Sequence, residues 1–192
     1  SYVTIDDGNS ESARTPVTFL VDPAPAAPSI NAVSTCSGTS VTLQAIAGGI
    51  VSWYDDAALT NLLGVGNTYT TGILTGPTTF YAVSTVGNCQ SAAAQTTVNV
   101  LANPLNTAAA SATICAGETA TLTVTGDAGS TFNWYADASA NILLASGSSY
   151  TTPVLNQSVT YYVQETNADG CLGALLSVDE IATSLPAAPQ AS

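Results

Sequence analysis

Cys36, Cys89, Cys115 and Cys171 are the most reactive side chains in a sequence of 192 residues that has no His and only one basic residue, Arg14, against thirteen carboxylates. Thiols can form disulfides, hold zinc or act as nucleophiles. Zinc sites are built from close ligand pairs, and these four cysteines are widely spaced. With neither His nor Lys, no Ser-His-Asp triad, Cys-His pair or Ser-Lys dyad can form. Two carboxylates facing across a cleft would suffice for glycoside hydrolysis, but the acids here fall in runs that read as turns. Asp55-Asp56, Asp6-Asp7-Gly8-Asn9 and Asn167-Ala168-Asp169-Gly170 offer oxygens to calcium, yet none has the spaced carboxylates of a calcium loop. Tolerance of positive φ and local side-chain hydrogen bonds account for Asp, Asn and Gly there. The sequence therefore reads as non-enzymatic, with no catalytic, cofactor-binding or metal-binding residue and no cofactor.

Composition narrows the partners. A net charge of −12 with one basic residue excludes the clustered cations that displace counterions from nucleic acid or bind an anionic membrane. Only 7% of residues are charged and 46% are hydrophobic, which is the opposite of the disordered signature. No apolar run approaches the ~20 residues that span a bilayer, so membrane insertion is not expected. Four cysteines fit an oxidising, extracytoplasmic setting. The start carries neither Met nor a signal segment, so the chain reads as a mature product or a fragment.

An internal repeat fixes the organisation. The stretch beginning at Trp53 realigns on that beginning at Trp134, with Tyr69 on Tyr150, Phe80 on Tyr161 and Tyr81 on Tyr162, all 81 residues apart. Cys36 maps to Cys115 at 79 and Cys89 to Cys171 at 82, so small insertions fall between the anchors. Within each repeat apolar residues alternate with period two, as in Val41, Leu43 and Ala45, or Ala120, Leu122 and Val124. The expected strands of the first repeat are 28–34, 40–46, 50–55, 61–65, 67–72, 78–85 and 92–100. Short β-rich strands with turn residues every eight to twelve positions predict an all-β protein of tandem sandwich modules, about seven strands each, arranged end to end. Module 1 is expected over 23–102, module 2 over 103–185 and a linker over 186–192. Residues 1–22 read as the terminal hairpin of a preceding module or as donated strands. Pro-containing joints should keep successive modules stiffly connected.

The residues GTSVTL and GETATL, then WY, then TFYAVSTVGN and TYYVQETNADG resemble the B, C and F strands of immunoglobulin-like domains. The order PAAP, CSG or CAG, WY, TYTT or SYTT, FYAV or YYVQ, then Cys, resembles Ig-like repeats of Bacteroidetes surface proteins, including gliding-motility adhesins and other type IX secretion cargo. That resemblance implies an extracellular or cell-surface location. One departure stands out: where antibody domains carry a B–F disulfide, this chain has Ala45 with Ala82, and Val124 with Val163. Apolar packing must replace the bridge, with Trp53, Trp134, Phe80 and Tyr161 as the core aromatics. Trp53-Tyr54 and Trp134-Tyr135 are candidate platforms for a surface polysaccharide, but strand alternation sends each Trp inward. Asn156-Gln157-Ser158 is a lone glycosylation-type sequon that marks a surface turn.

Two disulfide patterns remain open. One bridge per repeat pairs Cys36 with Cys89 and Cys115 with Cys171. In an immunoglobulin sandwich, however, these positions lie at opposite ends, ~20 Å apart, whereas a disulfide needs Cα atoms within about 7 Å. The second pattern joins Cys36 to Cys171 and leaves Cys89 and Cys115 for preceding and following units. The expected function is a non-catalytic structural or adhesive stalk whose partners are neighbouring modules or copies of the chain. The alternatives are a filament subunit joined by strand complementation and inter-module disulfides, and spacer modules of a secreted hydrolase. Because the acidic runs read as ordinary turns, EDTA should leave the thermal midpoint within a few degrees of its untreated value, measured by circular dichroism. A drop of tens of degrees would require a structural cation.

Overall fold

The computed structural model describes residues 1–6, 8–18, 21–105 and 107–184, with the side chain of Tyr2 not described. Asp7 of the first acidic run, Asn106 of the joint and the expected linker 186–192 lie outside the described residues. The described chain is all strand and turn. A short hairpin comes first, β1 (Tyr2–Val3) with β2 (Thr15–Pro16), and it forms a two-stranded sheet of its own.

The first repeat supplies β3 (Ser29–Ile30), β4 (Ser34–Cys36), β5 (Thr42–Ile46), β6 (Ile50–Tyr54), β7 (Leu62–Val65), β8 (Thr68–Thr70), β9 (Thr78–Val86), β10 (Cys89–Gln90) and β11 (Ala94–Leu101). One of its sheets has the order β3-β5-β8, the other β4-β11-β9-β6-β7 with β10 beside β9. The second repeat supplies β12 (Ala108–Ala110), β13 (Thr113–Cys115), β14 (Thr121–Thr125), β15 (Thr131–Tyr135), β16 (Leu143–Ser146), β17 (Ser149–Thr151), β18 (Val159–Thr166) and β19 (Leu176–Thr183). Its sheets, β12-β14-β17 and β13-β19-β18-β15-β16, repeat the first pattern except at β10, whose place holds only an isolated bridge between Thr166 and Leu172. The result is two tandem immunoglobulin-like sandwiches.

One strand expectation is corrected. Residues 28–34 do not form a single strand: Ser29–Ile30 pairs antiparallel with β5, and Ser34–Cys36 pairs parallel with β11. The second repeat makes the same switch, with β12 on β14 and β13 parallel to β19. Changing sheets lets the first strand cap an edge of both, so the backbone donors of each edge find partners.

Contacts divide the chain into two compact units. The first holds Ser1–Ala32, Thr42–Thr70 and Thr79–Thr97, and the second holds Val33–Val41, Thr71–Thr78 and everything from Val98 onward. In the first unit Leu43, Ala45, Val51, Trp53, Phe80, Ala82 and Val83 are buried. Trp53 has no exposed surface, and its indole Nε1–H donates to the carbonyl of Gly66 at 2.9 Å. Tyr69 stacks beside it at 6.2 Å and meets Phe80 at 5.8 Å. In the second unit Leu122, Val124, Phe132, Trp134, Leu155, Tyr161, Val163 and Val178 form the core. Trp134 donates to Gly147 at 3.0 Å, Tyr150 lies 6.1 Å away, and Tyr150 meets Tyr161 edge-on at 5.3 Å. Gly66 and Gly147 have φ of 132° and 128°, a conformation closed to residues with a Cβ, and it aims each carbonyl at the indole.

The second unit also buries two carboxylates, Glu165 and Glu180, each with no exposed surface. Both follow from strand alternation, which turns Tyr161, Val163 and Glu165 of β18 inward together with Val178 and Glu180 of β19. Glu165 accepts from Asp127 N–H at 2.7 Å and from the Thr107 hydroxyl at 2.5 Å. A Cβ at Gly126 would collide with this carboxylate, so the Glu165 head group sits here in space that a side chain at 126 would take. Burial pushes the pKa of Glu165 up, and hydrogen-bond donors outweigh it, holding the carboxyl below its usual range. The Ser130 hydroxyl faces the carboxylate and contributes, although it lacks the geometry of a hydrogen bond; Thr107 and Asp127 make the bonds themselves. Glu180 accepts from Ala112 N–H at 3.1 Å, and its Oε1 is without a partner. Burial first, then the neighbouring Tyr150 and Glu180, raise the pKa of Tyr161.

Two outcomes follow. Gly147→Ala should destabilise the protein by about 1–3 kcal/mol, the cost of holding a Cβ in a sparsely populated backbone region, as read from chemical denaturation. Glu165→Ala strands the Asp127 N–H and the Thr107 hydroxyl and should cost about 2–3 kcal/mol at neutral pH. Because the folded pKa of Glu165 is depressed, its contribution is complete above the unfolded carboxylate pKa and disappears as pH falls through the folded value. The stability gap between wild type and Glu165→Ala should therefore narrow on acidification, and a gap independent of pH between 7 and 3 would contradict the assignment.

Candidate functional site

Cys36 closes β4, opposite Leu101 in the parallel pair, and Cys171 follows the turn Asn167–Gly170. Both belong to the second unit, and they are joined by a disulfide with Cα atoms 5.5 Å apart, 135 residues apart in sequence. Cys89 and Cys115 are free thiols, the first half-buried and the second exposed. The pattern of one bridge per repeat is thus corrected. Its failure has a plain geometric cause in the second repeat, where Cys115 pairs with Thr183 at the far end of β19 while Cys171 precedes the near end at Leu176. Seven residues of strand separate these ends by about 24 Å, far beyond disulfide reach.

The chain around the bridge is tied down. Asn103 Nδ2–H donates to the Ser37 carbonyl at 3.0 Å, and Asn167 Nδ2–H donates to the Ala102 carbonyl at 2.9 Å. Asn167 Oδ1 also accepts from the N–H of Cys171 at 2.9 Å and of Asp169 at 3.1 Å, which sets the turn that presents the sulfur. Gly173 lets Pro104 approach to a distance that a larger residue would crowd. With Glu165 holding Thr107, the joint is held at Ala102, Asn103 and Thr107.

The acidic runs are occupied by their own backbone. Asp56 accepts from the N–H groups of Thr60 and Asn61, and Asp137, 81 residues on, accepts from Asn141 and Ile142. The backbone bond from Asn61 for Asp56, and from Ile142 for Asp137, is the largest cause that lowers each pKa. Each carboxylate closes a loop that carries a non-glycine residue at positive φ, Leu59 at 57° and Ala140 at 53°. Asp55 accepts from Asn61 Nδ2–H at 2.7 Å, and Asp6 from Gly8 N–H at 2.8 Å. Among the described residues no three His, Cys, Asp or Glu side chains gather as metal ligands.

The candidate aromatics divide between interior and surface. Trp53 and Trp134 are wholly buried, and Phe80 and Tyr161 are buried with them, whereas Tyr54 and Tyr135, the second residues of the two Trp-Tyr pairs, are partly open. A groove of about 300 Å³ is lined by Asn103, Pro104, Leu105, Thr107 and Ala174–Leu176, and another of about 610 Å³ lies among Ser130–Asn133 and Ser146–Ser148. Neither is lined by a titratable side chain. Sequence reasoning did not find the buried Glu165 and Glu180, although the alternation through YYVQET and SVDEIA carries the signal.

No curated protein matches the chain. Among solved structures, fibronectin(III)-like modules of Clostridium thermocellum CbhA are similar at TM-score 0.45 and 15% identity, over 86% of this chain and all of that one. A marsupial T cell receptor is similar at TM-score 0.42 and 15% identity, over 84% of this chain and 74% of the receptor chain. At these TM-scores neither likeness supports an inference. The model of a family described as "Ig-like domain CHU_C associated" matches twice, over residues 25–104 and 102–181. Those two matches span most of the sequence, and the chain belongs to the CHU_C-associated Ig-like domain family, with two copies in tandem.

Proposed function

We propose that the chain is a load-bearing structural and adhesive segment, a stalk, of an extracellular Bacteroidetes surface protein. The Cys36–Cys171 bridge carries this reading, because it joins a residue of the first family match to one of the second. Tension between the two ends passes through residues 1–36, the sulfur–sulfur bond and residues 171–192. Residues 37–170, which include both tryptophans and every strand from β5 to β18, stay out of the line of force. Ig-like modules suit such work, since each holds its own core without a ligand. A disulfide fits an oxidising compartment, and the acidic, Lys-poor surface suits exposure to proteases.

Single-molecule pulling from both ends is the direct test. With the bridge intact, only 36 and 22 residues lie in the loaded path, so extension should stop near about 200 Å. After reduction the whole chain should pay out to about 650 Å. A bridged chain whose cores open at the same load as the reduced chain would sink the stalk reading. Antibody against the chain should also label intact cells that make the parent protein.

A further inference from the structure

We infer that Cys89 and Cys115 are the two open halves of the bridge that Cys36 and Cys171 complete, and that each bonds a cysteine of an adjoining repeat of this same family. The inference rests on the reading as a structural repeat and names its covalent partner: a second copy of the two-cysteine repeat.

The internal repeat supplies the template. Cys36 and Cys115 occupy one position, and Cys89 and Cys171 the other, so the existing bond runs from the first position of one repeat to the second position of the next. The backbone holds equivalent cysteines in matching frames. At Cys36, Ser37 N–H donates to Leu101, Gly38 N–H to Leu74, and Thr39 N–H to Cys36, at 2.9, 2.8 and 3.2 Å. At Cys115, Ala116 N–H donates to Thr183, Gly117 N–H to Leu155, and Glu118 N–H to Cys115, at 2.8, 2.8 and 3.2 Å. Cys115 is therefore held in the same backbone frame as Cys36, and it is an exposed residue.

The second position shows the same correspondence. Two residues after Cys171, Gly173 N–H donates to Glu165 at 2.8 Å, and two residues after Cys89, Ser91 N–H donates to Ser84 at 2.9 Å. The turn before Cys89 is one residue shorter, and it still returns the cysteine to the sheet beside Val86. Cys115 thus requires a second-position cysteine from a following repeat, and Cys89 a first-position cysteine from a preceding one. Each new bond converts two thiols to one disulfide, and the two electrons and two protons pass to a disulfide oxidant, which becomes two thiols. Because the link is head to tail, each copy offers one open position in each direction, and the link can repeat from copy to copy.

The probe is the chain itself, as Cys89→Ser and Cys115→Ser variants incubated with oxidised glutathione and analysed by non-reducing electrophoresis and peptide mapping. Each variant alone should stay monomeric, with Cys36 still bonded to Cys171. The mixture should yield one dimer through Cys115 of the first variant and Cys89 of the second, favoured about tenfold or more over either self-link. Self-links Cys115–Cys115 or Cys89–Cys89 formed as readily, or a mixture that remains monomeric, would overturn the proposal. Mapping of Cys36 to Cys89 in the wild type would remove its template. Force shielding by Cys36–Cys171 is read on single chains, so either idea can fail while the other stands.

Discussion

Each sandwich is organised by the need to bury an indole without stranding its N–H. A tryptophan between two sheets supplies the apolar bulk that replaces the interior disulfide of antibody domains, but its donor must find an acceptor in the same dry space. The carbonyls of Gly66 and Gly147 are those acceptors, and both glycines stand at φ values that side chains exclude. The turn that holds each glycine joins the two strands flanking the core, β7 to β8 and β16 to β17. Satisfying one donor therefore also fixes where the chain crosses from one sheet to the other. Tyr69 with Phe80, and Tyr150 with Tyr161, then pack on a ring whose place is already determined.

Much of this was legible from residues alone because period-two alternation and an 81-residue offset are strong signals. Trp53 and Trp134 lie on inward positions of strands whose neighbours alternate cleanly, so the burial of both follows from position. The split of the first strand was not legible, since residues 28–36 and 107–115 carry no alternation strong enough to show a change of sheet. The buried acids escaped for a different reason. Composition places carboxylates outside, and only the inward register of Glu165 and Glu180 together with the missing Cβ at Gly126 reveals the opposite. Disulfide pairing, too, depends on which end of a sheet each cysteine occupies, and sequence spacing does not encode that.

The two repeats share a frame and differ inside it. Where the second repeat buries Glu165, the first has Ser84, and where the second buries Glu180, the first has Val98. By the offset of the second core strand, Gly126 of the second repeat stands at the place of Ala47 in the first, so the larger acid comes with the smaller neighbour. The buried carboxylate of Glu165 reaches Thr107, just beyond the Pro104 joint. It is therefore an anchor for the incoming chain as much as a core residue. A buried charge is costly unless hydrogen-bonded, and here donors from the joint and from the Asp127 turn meet that need.

Magnitudes separate the two roles a disulfide can play. On the chain-entropy account, two bridges within repeats, each closing a loop of 53 or 56 residues, would stabilise the fold by about 4 kcal/mol apiece. The single Cys36–Cys171 bridge closes a loop of 135 residues and contributes about 5 kcal/mol. Stability alone would favour the pairing that the structure lacks by about 3 kcal/mol. Strand geometry forbids that pairing in the second repeat, because its two cysteines stand at opposite ends of β19. In the first repeat Cys36 is bonded to Cys171 instead, which leaves Cys89 and Cys115 as free thiols. Placement at opposite ends of a sheet, rather than loop-closure entropy, therefore decides which cysteines pair.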